Sequence, residues 1–187
     1  MSIINYNITS KRWFHKYAII WYLILYLLIA VLSLYLTRVF LNNNFFDIAF
    51  IQNFLIKIHR QVLESFFNII GLYSNTSGNE IYFFNGNYIH ILPGCSGFIQ
   101  SFRIVIILIL FPGPIKKKLW YIPLSVIFIF LLSIVHLILL AFAIIYDPNN
   151  YNLYHNYLTK GLFFIGYFFI WVFWLENFVL KKVKKKS

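Results

Sequence analysis

Residues 93–118 read PGCSGFIQSFRIVIILILFPGPIKKK and determine how the chain meets a membrane. Residues 96–111 are mostly apolar, and Pro112-Gly113-Pro114 ends the run because proline cannot continue a helix. The lysines at 116–118 follow at once, and such clusters favour the cytoplasmic side of a membrane span. A helix of this length covers about 24 Å, which is short for a hydrocarbon core of about 30 Å. The segment therefore predicts a short span that begins slightly below the outer surface, next to Cys95.

Composition places the whole chain in the membrane class. Of its 187 residues 61% are hydrophobic and only 11% are charged, which is typical of an integral membrane protein. The net charge of +11 could suggest a nucleic-acid partner. The cations, however, fall in short clusters beside apolar runs, as cytoplasmic flanks of membrane spans do. We therefore expect membrane lipid as a partner and no nucleic acid.

The pattern predicts an all-α integral membrane protein that forms one domain over residues 1–187, with about four transmembrane helices. We place the spans at residues 17–36, 96–111, 119–146 and 161–180. Eleven of the sixteen basic residues fall in the three segments that this layout puts inside. By the positive-inside tendency, both termini are then cytoplasmic, and Cys95 and His155 share the extracytoplasmic side.

The outer segment, residues 37–94, is predicted to contain two elements. Residues 45–72 carry polar side chains at helical spacing on an apolar background, which indicates an amphipathic helix lying in the membrane interface. Its charge-free core is too short to span. Residues 80–91 place Asn85-Gly86 between two β-prone runs, a signal for a small extracytoplasmic β-hairpin. His59 is expected at the interface, and His90 on a face of the hairpin.

Cys95 and His155 are the candidate chemical groups. The glycines flanking the cysteine would let another backbone approach the sulfur, and the helix that begins at Ser96 would favour its thiolate. An inert, packed cysteine fits the local sequence equally well. His155 lies in the outer loop predicted at residues 147–159 and could accept the thiol proton. The alternative is a solvated loop histidine.

Four stretches together resemble the exosortase and archaeosortase family of membrane cysteine transpeptidases. They are Pro-Gly-Cys-Ser-Gly at 93–97, Phe-Pro-Gly-Pro at 111–114, Leu-Trp-Tyr-Ile-Pro-Leu at 119–124 and His-Asn-Tyr-Leu at 155–158. The chain looks most like the small members found among Bacteroidetes. The resemblance implies a bacterial inner-membrane enzyme that processes C-terminal transmembrane sorting signals of exported proteins. It also implies Cys95 as nucleophile and His155 as proton-transfer partner.

The chain departs from the family pattern at the third catalytic position. Where the family has an arginine in a pattern like Asn-x-x-Arg-Ile, residues 133–137 read Ser-Ile-Val-His-Leu. His136 could donate to an oxyanion but is not permanently charged, and it could equally serve to join neighbouring helices. Arg103 is a possible substitute, because an arginine within a span is costly. It lies about 12 Å along the helix from Cys95 and would have to snorkel to reach it.

Other classes of function are less well supported by the sequence. Glu80, Asp147 and Glu176 have no metal-ligand spacing around them, so neither a metal nor a cofactor is expected. A non-catalytic relative of the same fold, binding sorting signals or partners in a surface-export or polysaccharide system, is the main alternative, and the missing arginine favours it. A transporter or channel component would need more polar residues along its spans.

Overall fold

The computed structural model describes the backbone of residues 3–42 and 48–180. Its helices are α1 (Ile3–Asn42), α2 (Ile48–Ile69), α3 (Phe98–Leu110), α4 (Ile115–Tyr146) and α5 (Tyr151–Trp174), the last continued by a π-helical segment at Leu175–Leu180. The strands are β1 (Tyr73–Ser77), β2 (Glu80–Phe83) and β3 (Tyr88–His90), and short 3-10 turns occupy Pro93–Cys95 and Pro148–Asn150. The predicted beginning of the amphipathic helix at residue 45 and the lysine-rich tail lie outside the described residues.

Among the residues that the structure describes, three segments are long and apolar enough to cross a membrane: Ile20–Phe40, Ile115–Tyr146 and Pro148–Leu180. They correspond to three of the four predicted spans and support a membrane protein. The fourth, α3, has 13 residues and extends for only about 20 Å. Its assignment as a full span therefore stays a prediction, as does the side of the membrane on which each end lies.

Helices α1 and α3 pack antiparallel, as do α4 and α5. Tyr22 and Phe40 of α1 contact Phe111 and Phe102, with ring centroids 6.0 and 4.6 Å apart, so α1 and α3 run antiparallel. The Tyr121 hydroxyl near the beginning of α4 donates to the carbonyl of Ile170 near the end of α5 at 2.7 Å. We call the end that carries residues 111–121 the basic end, and the opposite end, which carries the strands, the sheet end.

The basic end is closed by the turn between α3 and α4. Gly113 has a φ of +156°, and a Cβ there would stand 2.5 Å from the ring of the buried Trp174. The Trp174 Nε1 donates to the carbonyl of Pro112 at 3.1 Å. The Lys118 ammonium donates to two carbonyls at the end of α3, each at 2.7 Å, and so satisfies acceptors that the helix leaves unpaired.

The strands form an antiparallel sheet in the order β1-β2-β3 at the sheet end of the bundle. Strands β2 and β3 pair on either side of Asn85-Gly86, and Gly86 has a φ of +80°. The amides of Asn85 and Asn87 donate to the carbonyls of Ile145 and Ile144 at 3.0 and 2.8 Å. These bonds fasten the sheet to the last turn of α4. Strand β1 was not predicted. Three of its five residues are serine or asparagine, which lack the β-branched or aromatic side chains that favour strands.

Helix α2 packs along α4 in the same direction. His59 meets Ser133 and Phe130, while Phe66 and Phe67, further along α2, meet Phe142. The expectation that His59 lies at the interface is wrong, because its side chain is fully buried. It lies on the face of α2 that α4 covers, where a hydrogen bond replaces contact with water. Whether the rest of α2 lies in the interface stays a prediction.

Helix α5 begins ten residues before the predicted span at residue 161. Pro148 stands in the first turn of the preceding 3-10 segment, and the helix then starts at Tyr151. Gly161 does not interrupt it, since a lone glycine costs a helix only about 1 kcal/mol. The prediction that His155 lies in a loop is therefore wrong. It occupies the second turn of α5 and is held by a regular helix.

The bond between His59 and Ser133 predicts an energetic coupling between α2 and α4. In a double-mutant cycle of His59→Phe and Ser133→Ala, measured by denaturant unfolding in detergent, we expect a coupling of about 0.5–2 kcal/mol. Ser125→Ala is the matched control, because Ser125 is a buried α4 serine whose hydroxyl bonds to its own helix at 2.8 Å. Equal couplings for both serines would contradict the assignment.

Candidate active site

The cysteine lies in a turn that hydrogen bonds hold in place. The Cys95 amide donates to the carbonyl of Leu92 at 2.9 Å. The Ser96 hydroxyl donates to the carbonyl of Pro93 at 2.7 Å, and the Gln100 amide donates to that of Gly94 at 3.0 Å. Because Gln100 belongs to α3, the turn and the first turn of that helix move as one unit.

Gly97 connects this turn to α3 in a conformation that needs glycine. Its φ is +73°, and a Cβ added to it would stand 2.7 Å from the Ser133 Oγ. Gly94, by contrast, has open space around its Cα. The glycines were expected to let a backbone approach the sulfur. Instead, Gly97 leaves room for the side chain of Ser133 in α4. The serine therefore packs against the backbone two residues after the cysteine, and not against the sulfur.

His59 and Ser133 form a buried pair behind Gly97. The His59 Nδ1 lies 2.8 Å from the Leu55 carbonyl, and its Nε2 lies 2.7 Å from the Ser133 Oγ. Because a carbonyl can only accept, the Nδ1 carries the proton of the neutral ring. The Ser133 Oγ lies 2.7 Å from both the His59 Nε2 and the Phe130 carbonyl, so its single hydroxyl proton faces two acceptors. The pair fixes the side chain against which Gly97 packs. In this way α2 and α4 together position the cysteine turn.

The thiol itself is buried. Cys95 is 7% exposed and belongs to an apolar cluster with Ile91, Leu137 and Leu140. Burial raises the pKa of the Cys95 thiol, because an apolar environment disfavours the charged thiolate. The expectation that the start of α3 favours a thiolate is therefore wrong for this conformation.

A series of contacts joins the thiol to two histidines. Tyr151, in the first turn of α5, packs against the cluster that contains Cys95 and lies close enough for their charges to interact. The rings of Tyr151 and His155 meet nearly at right angles, with centroids 5.9 Å apart. His155 in turn interacts electrostatically with His136 of α4, whose fully buried ring lies 5.6 Å from that of Phe163.

The structure thus brings Cys95, His155 and His136 to the same end of the bundle, but it does not join the first two directly. Both side chains are described, and no hydrogen bond links the Cys95 Sγ to the His155 ring. Tyr151 packs against the apolar cluster that contains Cys95, and its ring contacts that of His155. It was missed by sequence analysis, although it stands four residues before His155, the spacing that puts two side chains on one face of a helix.

Arg103 has a different environment. It interacts with the hydroxyl of Tyr167 in α5, and its Nε is buried without a hydrogen-bond partner. Tyr167 lies twelve residues after His155, about 18 Å along the helix. The structure therefore does not bring Arg103 together with the thiol.

His90 takes no part in the site. His90 lies on the exposed face of the hairpin, where its Nδ1 is 3.3 Å from a carboxylate oxygen of Glu80. Within the described residues, no three histidine, cysteine, aspartate or glutamate side chains lie together in a way that could hold a metal ion.

Comparison with protein-family models, curated proteins and solved structures finds no match to this chain.

Gly97 provides a direct test of how the turn is positioned. We expect Gly97→Ala to lower the unfolding free energy by at least about 1–2 kcal/mol, because a left-handed conformation penalises a Cβ and Ser133 blocks its space. Gly94→Ala is the control, since nothing lies within 4 Å of the added carbon. Thermal unfolding in detergent measures both variants. Similar losses at the two glycines would contradict this role of Gly97.

The raised pKa of Cys95 predicts a slow, strongly pH-dependent alkylation. Because Cys95 is the only cysteine, the rate of iodoacetamide labelling reports on it alone. We expect the folded protein to react more slowly than free cysteine near neutral pH, with a midpoint above the usual thiol pKa of about 8.5. The same protein unfolded in detergent serves as the reference. A plateau that is already reached at neutral pH would show a stabilised thiolate instead.

Proposed function

We propose that this chain is a membrane cysteine peptidase or transpeptidase of exosortase type. The observation that carries the proposal is the gathering of Cys95, Tyr151, His155 and His136 near one end of the bundle, although sixty residues separate Cys95 from His155 in sequence. A thiol near an imidazole on a separate rigid element is the arrangement that covalent acyl transfer needs. We propose a bacterial inner-membrane location, with this end extracytoplasmic and both termini cytoplasmic.

The chemistry would proceed by two acyl transfers. His155 takes the proton of the Cys95 thiol as the sulfur attacks the scissile carbonyl, and the carbonyl oxygen becomes an oxyanion. When the peptide C–N bond breaks, the imidazolium returns the proton to the leaving amine and a thioester remains on Cys95. An incoming amine or water then gives a proton to His155 as it attacks the thioester. When the C–S bond breaks, the imidazolium returns this proton to the sulfur, which restores the thiol and the neutral His155.

The resting geometry requires a rearrangement before the first step. The thiol is neutral and buried, and Tyr151 packs against its apolar cluster while its ring contacts that of His155. Substrate binding would displace the Tyr151 ring and let the imidazole approach the sulfur. A thiol that stays neutral until then would be protected from side reactions, because the thiolate is the reactive form.

His136 is the proposed oxyanion donor at the position of the family arginine. Its electrostatic interaction with His155 and the packing of the next residue, Leu137, in the cluster that contains Cys95 support this proposal. A neutral imidazole N–H can donate one hydrogen bond to an oxyanion, but it lacks the fixed charge and the paired donors of a guanidinium. Arg103 is less suitable for the same role, because it contacts Tyr167 deeper in the bundle.

The proposed substrate is the C-terminal transmembrane sorting signal of an exported protein. An apolar groove of about 520 Å³ opens between α2, α3 and α4. Its lining includes Phe98, which follows Gly97 directly, and Leu55, whose carbonyl holds His59. The groove is therefore continuous with the positioning elements of the cysteine turn. A substrate helix lying in it would bring its outer end to the thiol.

A non-catalytic membrane protein that binds sorting signals is the second candidate. Two observations favour it: the thiol is buried without a hydrogen bond to His155, and a histidine replaces the family arginine. Such a protein would use the same groove and would need no reactive thiol.

Replacing the nucleophile in the native host separates the two candidates. In cells that carry Cys95→Ala or Cys95→Ser, we expect exported proteins with a C-terminal helix and basic tail to accumulate uncleaved. Leu119→Ala, at an exposed position near the basic end, is the control and should process them normally. Continued processing in both cysteine variants would identify the chain as a binding protein.

The same assay tests the proton-transfer role. We expect His155→Gln to lower the processing rate by about 10²- to 10⁴-fold, the range typical of a lost general base. Asn156→Ala changes the next residue, which is exposed and bonds to its own helix at 2.9 Å, and is the matched control. Equal rates for the two variants would exclude His155 from the reaction. A His136→Arg variant with a higher rate would indicate an enzyme that its missing arginine weakens.

A further inference from the structure

Strand β3 lies at the edge of the sheet, and its register shows which of its backbone groups are free. The strand order ends on β3, which pairs with β2 alone. The amides of Phe83 and Ile91 donate to the carbonyls of Asn87 and Asn79, each at 2.9 Å. Residues 87, 89 and 91 therefore bond towards β2, since hydrogen-bonded pairs alternate along an antiparallel ladder. The N–H and C=O groups of Tyr88 and His90 face the opposite way.

Within the described residues, no backbone or side-chain group pairs with these outward groups. No hydrogen bond of the described residues uses the backbone of Tyr88 or His90, and both residues are exposed, Tyr88 by 48%. Unpaired groups in a row along an edge strand are a template for one more strand.

The edge is held rigidly. The side chains of Ile89 and Ile91 are buried in the core beneath the sheet, and the Asn87 amide ties the beginning of β3 to α4. A strand fixed in this way loses little conformational freedom when it binds a peptide, which lowers the cost of binding.

The edge strand is also close to Cys95 along the chain. Five residues separate His90 from Cys95, and the Leu92 carbonyl accepts the Cys95 amide. Even a fully extended chain would cover only about 17 Å over this interval. A peptide paired with β3 thus has its next few residues within reach of the cysteine.

We propose that the free edge of β3 binds the extended segment of the substrate that precedes its transmembrane helix, as a fourth strand of the sheet. This inference rests on the proposed function and adds how the scissile region is held. Recognition is through the main chain, so it fixes the position of the peptide while tolerating varied side chains. The exposed side chains of Tyr88 and His90 flank the bound strand. The helix that follows in the substrate would then enter the apolar groove.

Removing one outward N–H tests the proposal. Proline at position 90 lacks this donor and is tolerated in an edge strand, whereas His90→Ala keeps the donor and is the reference. In the native host, we expect precursor processing by His90→Pro to be about tenfold or more below that of His90→Ala. Unchanged iodoacetamide labelling of Cys95 verifies that the proline variant folds. Equal processing by the two variants would overturn the proposal.

Photo-crosslinking provides a second measurement that does not depend on proline. With p-benzoylphenylalanine at position 88 in the Cys95→Ala background, we expect a crosslink to the uncleaved precursors. Position 84, an exposed phenylalanine in the hairpin turn, is the control and should give less. The absence of a crosslink at position 88 would overturn edge binding.

Processing by the Cys95→Ala and His90→Pro variants also distinguishes this inference from the proposed function. If Cys95→Ala blocks processing but His90→Pro matches His90→Ala, the enzyme stands and edge binding is wrong. If Cys95→Ala leaves processing intact, the proposed function fails, and this inference fails with it.

Discussion

The contact between Gly97 and Ser133 is the constraint on which the candidate site depends. Ser133 occupies the space where any other residue at position 97 would place its Cβ, and His59 holds that serine from α2. The contact therefore joins three elements that are distant in sequence. Since the turn with Cys95 is bonded both to itself and to α3, fixing Gly97 fixes the thiol relative to α4 and hence to His136.

The candidate site combines a buried thiol with a tyrosine and two histidines that lie near it without a hydrogen bond from the thiol to His155. Burial keeps the thiol neutral, and Tyr151 contacts both the thiol cluster and His155. In such an arrangement the binding energy of a substrate can be used to assemble the catalytic groups, which adds selectivity at some cost in rate. In sequence, β3 precedes the cysteine turn and Phe98 of the apolar groove follows it. Under the proposed function, both supply that binding energy.

The sequence predicted the features that depend on the hydrophobicity of long segments and on the residue types of tight turns. The three long apolar helices and the pairing across Asn85-Gly86 follow from such signals. The beginning of α5 was misplaced, because Gly161 resembles a boundary although a helix tolerates it. Strand β1 was missed because its pairing with β2, not its composition, makes it a strand. The roles of His59 and Tyr151 come from packing between distant segments, which a single sequence does not reveal.

The central claim is that Cys95 becomes acylated by a substrate. Intact-mass spectrometry of the protein, isolated rapidly from its native host, tests this claim most directly. The account predicts a fraction that carries a peptide adduct on Cys95, and neutral hydroxylamine should release it because it cleaves thioesters. A protein whose Cys95 is always a free thiol, in cells that are actively processing the precursors, would contradict the account.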